Sequence, residues 1–230
     1  HGLDIKGVDG LPLIVPKSHA YWIDSSNLPS GRPVYESFLG HSTSACNYLE
    51  IYMIIELLKK MADAHRGVWL KSGKENIKSV GVISFYQMQV NELRRMWKNE
   101  RRHFDFSPLS VEINTVDRFQ GKEKNIIIAS LVRNNKSGKA SKHVISFERI
   151  NVAFSRAQEL LVIVGARHMY EGLQVELPNM DRPGHKTVPV YQNIMADLHR
   201  KACYKSSEKL ISPELEQAIL RKCQEGGAQA

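Results

Sequence analysis

Short apolar runs alternate with helical stripes along most of this chain. Within Asn47 to Ala64, apolar residues at 51, 54, 55, 58 and 61 recur at helical spacing, which predicts a helix with a buried face. Lys59 and Lys60 suit the negative end of that helix, and Ser42, Thr43 and Ser44 stand before it as candidate N-caps. Further helices are predicted at Gln89 to Asn99, Phe147 to Gln158, Pro189 to Ala202 and Ser212 to Cys223. Between them, Tyr21 to Asp24, Val80 to Ser84, Asn125 to Val132 and Leu160 to Val164 read as apolar strands, and Val111 to Val116 as an alternating one. A run as apolar as "NIIIASLV" needs cover on both faces of its sheet.

Strands alternating with helices at this spacing predict an α/β fold with a mainly parallel sheet. Such sheets take ligands at the C-terminal ends of their strands. The 230 residues suffice for one full core. They divide into a lead-in loop over 1–20, a main domain over 21–175 and a helical extension over 176–230. The aperiodic "HGLDIKGVDG" reads as an artificial start, with His1-Gly2 left over from cloning, and the Gly/Ala/Gln end from Gly226 as frayed.

The formal charge of +8 and pI near 9.4 point to an anionic partner, with nucleic acid or nucleotide phosphate ahead of a membrane surface. Cys46, Cys203 and Cys223 form no CxxC pair, so three reduced thiols are expected rather than disulfides or zinc. The nine histidines form no HxxxH or HExxH pair, and no metal is assigned to them. No stretch is long and apolar enough to span a bilayer, and a signal peptide is not visible. A cytoplasmic protein without a membrane partner is the expectation.

Two stretches carry candidate chemistry. The polar connection "DRFQGKEKN", Asp117 to Asn125, contains Gly121, which permits a tight backbone path, and Glu123, able to accept from a sugar hydroxyl or orient a cation. An ordinary polar loop is the alternative. In "INVAFSRAQELLVIVG", Arg156 follows an amphipathic segment and precedes a buried strand. An arginine on a helix facing a cleft can stabilise charge on a γ-phosphate. Equally, it can pair with Glu123, Glu148 or Glu159 for structural reasons. The basic run "RRMWKNERR", Arg94 to Arg102, either grips phosphates with Trp97 stacking on a base or is a solvated helix face with Trp97 packed inward.

"VISFYQMQ", "INTVDRFQGKEKNIIIASLVR" and "ERINVAFSRAQELLVIVG" resemble motifs IV, V and VI of superfamily 1 helicases. The likeness is greatest to the branch that includes the nonsense-mediated decay RNA helicase and senataxin. "GHSTSACNYLE" is similar to a family stretch in which Ser, Asn and Glu precede a long helix. The resemblance spans about Tyr21 to Ala166 and implies the second, C-terminal RecA-like domain, a three-layer fold, of an ATP-driven translocase. It implies Arg156 as the arginine finger, with Gly121 and Glu123 beside the phosphates and ribose of ATP. Thr115, Ser155 and Tyr86 would face single-stranded RNA or DNA, while Gln89 and Gln120 would be structural or cleft-lining. The chain departs from the family at Ser84-Phe85-Tyr86, where Thr-Pro-Tyr is common, and at Asn125, where Asp is common. It also contains no GxxxxGK followed by Ser or Thr. ATP and Mg²⁺ would therefore be held mainly by an N-terminal P-loop domain of the same parent, and this part alone would not hydrolyse ATP. A degenerate, non-catalytic module that binds nucleic acid or protein is the rival reading.

Overall fold

A computed structural model describes residues 1–38, 44–179 and 184–225. Six strands form one parallel sheet: β1 (Ala20–Asp24), β2 (Lys78–Ser84), β3 (Leu109–Thr115), β4 (Lys124–Ser130), β5 (Ala157–Gly165) and β6 (Tyr204–Ser206). Their order across the sheet is β6-β1-β5-β4-β2-β3, with every pairing parallel. This is the expected α/β architecture, of the RecA-like P-loop NTPase type. The central strand β4 is the most apolar, and Ile126, Ile127, Ile128 and Ala129 are fully buried because helices cover both faces.

Strand order determines which helix lies on which face. The chain moves one way across the sheet from β1 through α1 (Tyr48–Lys71) to β2 and through α2 (Gln87–Glu100) to β3. It then returns through a single 3-10 turn, Val116–Phe119, to β4, through α3 (Phe147–Phe154) to β5 and through α4 (Val190–Arg200) to β6. Right-handed crossovers therefore put α1 and α2 on one face and the turn, α3 and α4 on the other. The last helix, α5 (Pro213–Glu225), packs on α1. On the α3/α4 face, the rings of Trp22, Tyr170 and Tyr191 meet edge-on or tilted. Each gives its polar hydrogen to a backbone carbonyl, of Gly165, Leu131 and Val144 respectively, so three large rings are buried without an unmet donor.

The return from β3 to β4 crosses β2 in very few residues, and it can do so because Gly81 has no side chain. A Cβ there would lie 2.8 Å from Cε1 of Phe119 and 2.7 Å from Cδ1 of Ile127. Phe119 thus lies directly on β2 and brings the following turn, Gln120 to Glu123, to the start of β4.

The structure differs from the sequence reading at several elements. Asn47, not Ser44, caps α1, its side chain accepting from Glu50 N at 3.2 Å; Ser44 Oγ instead accepts from Met88 N at 3.0 Å in α2. Ser42 and Thr43 lie outside the described residues, as does the end from Gly226. The opening stretch is tied down: Ile5–Lys6 pairs antiparallel with Pro12–Ile14, and Leu3, Ile5, Leu13 and Ile14 are buried. Beyond 175 the chain is not all helix, since Val175–Pro178 and His185–Val188 form a hairpin and β6 joins the main sheet. All three cysteines are free and buried. Among the described residues no helix is long and apolar enough to cross a membrane.

Candidate nucleotide and nucleic-acid site

The predicted third helix is shorter than its amphipathic pattern suggests. α3 is capped at its start by Ser146, whose Oγ accepts from Arg149 N at 3.4 Å, and it ends at Phe154 with Ser155 as C-cap. Arg156 is therefore not on a helix. It is the hinge residue between α3 and β5, and its carbonyl accepts from Lys124 N at 3.1 Å. The next residue, Ala157, pairs with Lys124, so pairing with β4 claims residues that local pattern assigns to the helix.

This pairing brings the two candidate stretches together. Glu123 immediately precedes Lys124 just as Arg156 precedes Ala157, and Gln158 Nε2 donates to Glu123 Oε2 at 3.2 Å. Gly121 adopts φ +77°, with open space where a Cβ would stand, a backbone conformation that favours glycine. Gln120, Gly121 and Glu123 are all exposed. Arg156 is half-buried, and its Nε is shielded from solvent without a hydrogen-bond partner.

The carboxylates considered as structural partners for Arg156 are occupied elsewhere. Glu148 accepts from Ser146 at 2.8 Å, and Glu159 takes Lys78 Nζ at 2.8 Å and Asn125 Nδ2 at 2.8 Å. Among the described residues no carboxylate pairs with Arg156. The amide at Asn125 suits this network, because its Oδ1 accepts from Ser79 N and Oγ at 3.0 and 2.7 Å while its Nδ2 donates to Glu159. An aspartate could not make the second bond.

These residues occupy the N-terminal ends of β4 and β5, opposite the edge at which a parallel sheet ordinarily holds its ligand. An arginine that reaches toward a phosphate held by another domain need not lie in its own sheet's crevice. Ser155 lies on this same edge, beside Arg156. Thr115 stands at the opposite edge, half-buried at the end of β3, where it precedes the 3-10 turn without making a side-chain cap bond. The expected strand-facing set is therefore divided between the two edges. Tyr86 does not face outward: it is 4% exposed, and its hydroxyl meets Ser141 Oγ at 2.5 Å. Burial pushes that hydroxyl above the usual tyrosine range. Its role here is to hold the basic loop after β4 against the start of α2.

A buried polar network at the C-terminal ends of β2 and β4 joins Gln89, expected to be structural or cleft-lining, to Glu50, to which the sequence assigns no role. Glu50, fully buried in α1, accepts from Ser25 Oγ at 3.1 Å, Ser130 Oγ at 2.6 Å and the Val132 amide at 3.0 Å. Burial raises its pKa to about 7 despite those donors. Gln89, also fully buried, accepts from Asn47 N at 2.8 Å and donates to Ser130 Oγ at 2.9 Å, which makes it structural. The visible signal was a carboxylate on the stripe of α1 that also carries Ile54 and Leu57.

Residues 14–168 match the family described as "AAA domain". The chain is similar to the "DNA replication ATP-dependent helicase/nuclease dna2" of Schizosaccharomyces pombe, 29% identical over 175 residues, which are 70% of this chain and 12% of the relative. It is 43% identical over 91 residues to the "DNA polymerase alpha-associated DNA helicase A" of Saccharomyces cerevisiae, covering 38% of this chain and 12% of that protein. With "Helicase sen1" of Schizosaccharomyces pombe it shares 38% identity over 119 residues, 50% of this chain and 6% of that one. The chain thus spans a small part of each relative's length.

Proposed function

Since the chain belongs to the AAA domain family matched by its residues 14–168, with helicases among its relatives, we propose that it is the second motor domain of a superfamily 1 helicase. In this reading an N-terminal P-loop domain of the same parent holds ATP and Mg²⁺ against the edge formed by the starts of β4 and β5. Neither domain turns over ATP alone.

The observation that carries the reading is the state of Arg156. Its backbone is pinned to β4, its Nε is buried without a partner, and the nearby acids are engaged by other groups. A guanidinium kept this way is ready to donate to phosphate oxygens in a partly dry cleft, where such contacts are strong. Gly121 lets the adjoining turn approach phosphate closely, and Glu123, with Gln120 beside it, accepts from ribose hydroxyls. ATP supplies the phosphoryl group whose transfer to water drives the closing and opening of the two domains. Thr115, at the other edge, contacts the backbone of the single strand, and Ser155 orients the turn that carries Arg156. In this reading the chain's contribution at the nucleotide is to bind it and to neutralise charge through Arg156.

Arg156→Ala in the chain extended to its natural N-terminus tests the assignment. The expected outcome is a fall in kcat of roughly 10³-fold or more, with Arg156→Lys recovering little because the planar fork is lost. Turnover near wild type in both variants would show that Arg156 is not the finger.

A further inference from the structure

The proposed strand contact uses the C-terminal end of β3, yet two arginines without a carboxylate partner among the described residues, Arg101 and Arg102, lie toward its other end. There the chain leaving α2 turns back toward Leu109 and borders an open hollow of about 690 Å³, within the roughly 300–1,000 Å³ that ordinarily holds small ligands. Arg101, Arg102 and His103 line it and are exposed. The lining is mainly polar but includes three rings, Trp97 and Phe104 packing on the buried Phe106 with ring centroids 4.3 and 4.6 Å away.

The acids near this hollow do not neutralise it. Asp105 is bound by Arg66 at 2.6 Å, and hydrogen bonds from Ser107, with Arg66 next, hold its carboxyl down at about 2. Glu100 is taken by Lys59 at 2.8 Å. Among the described residues, no carboxylate pairs with Arg101, Arg102 or His103. Lys98, in the last turn of α2, answers the helix's own negative end. Arg101 and Arg102, at and beyond the cap, extend past the turn over which that attraction acts. Arg101 lies 6.0 Å from the Trp97 ring centroid, so a charged fork and an aromatic surface are presented together. Arg102 also lines a neighbouring hollow of about 440 Å³, which continues the basic path around the end of α2.

We propose that this hollow is a second binding site for single-stranded nucleic acid, with phosphates on Arg101 and Arg102 and a base against Trp97 and Phe104. It is separate from the Thr115 contact, because the seven residues of β3 put the two about 20 Å apart at the usual strand rise. An acidic polypeptide could use the cations but would have no need of the rings. The site would hold the strand's free end outside the motor track.

Titration of the 230-residue chain with a fluorescent single-stranded oligothymidylate over a range of salt tests this proposal. Arg101→Ala/Arg102→Ala is expected to weaken binding about tenfold and to reduce the salt slope by about 1.4, the loss of two phosphate contacts. Arg101→Lys/Arg102→Lys should keep most of that slope. Trp22 is 0% and Trp69 9% exposed, so quenching of tryptophan emission by the oligonucleotide reports Trp97 and should vanish in Trp97→Phe. Thr115→Ala, which removes no charge, should leave the slope unchanged. Unaltered affinity and slope in the double alanine variant, or polyglutamate bound as tightly through the same two arginines, would overturn the proposal. Both arginines are exposed, and an unchanged melting temperature separates a lost site from a lost fold.

Discussion

Glu50 is a carboxylate that the fold encloses completely, and its place explains a backbone conformation that Val132 would otherwise avoid. Val132 has φ +72°, costly for a β-branched residue, and its amide points at both oxygens of Glu50, each at 3.0 Å. Because burial raises the Glu50 pKa to about 7, the folded state retains a proton that the unfolded chain releases near its ordinary 4.5. The associated stability is present in full below about 4.5 and is lost as pH rises to about 7, a change of roughly 3 kcal/mol. Glu50→Gln should remove that fall, seen as denaturant midpoints that no longer decline across this window; an unchanged decline would place it in another group. Glu112 acts with the opposite sign. Lys122 first, and Lys124, hold its carboxyl down at about 2, so its contribution is present above the ordinary carboxylate range and lost on acidification. The sequence assigns Glu50 no role, because its partners Ser25, Ser130 and Val132 are distant in the chain and only folding assembles them. The sequence offers Arg156 three carboxylates, Glu123, Glu148 and Glu159, and only the fold shows that other groups engage them.

At the scale of elements, legibility followed burial. β1, β2, β4 and β5 were visible because strands covered on both faces must be apolar, and α1 because its buried positions repeat with helical period. β6 has only three residues, Tyr204–Ser206, half-buried or exposed at the sheet's edge, and nothing local marks it. The opening hairpin was hidden by its glycines, although Leu3, Ile5, Leu13 and Ile14 supply a small apolar face that is covered by the body of the protein. α3 ends early because β4 captures Ala157, and that same capture sets Arg156 beside the Gly121 turn. The crossover at Gly81 makes a further prediction. Gly81→Ala places a methyl within 2.8 Å of Phe119 and should destabilise the fold by about 1–3 kcal/mol, measured by urea unfolding. Adding Phe119→Leu should recover part of the loss through the space it frees, and independent, additive losses would show that Phe119 does not rest on β2.

For the whole molecule, the two edges of one parallel sheet divide the work that the family resemblance implies. In the proposed reading, the N-terminal ends of β4 and β5 carry the groups for phosphate and ribose, Gly121, Glu123 and Arg156, and the C-terminal end of β3 carries Thr115 for the strand. A motor built from two such domains can couple nucleotide to strand because both edges belong to one rigid sheet, so closure at one edge displaces the other. The net charge of +8 adds a general attraction for nucleic acid without specifying where it acts. Steady-state ATP turnover, with and without single-stranded nucleic acid, compared between this chain and the chain extended to its natural N-terminus, tests the central claim most directly. The account predicts no turnover by the 230 residues alone and strand-stimulated turnover by the extended chain. Absence of turnover in the extended chain, or full turnover by the 230 residues unaided, would contradict it.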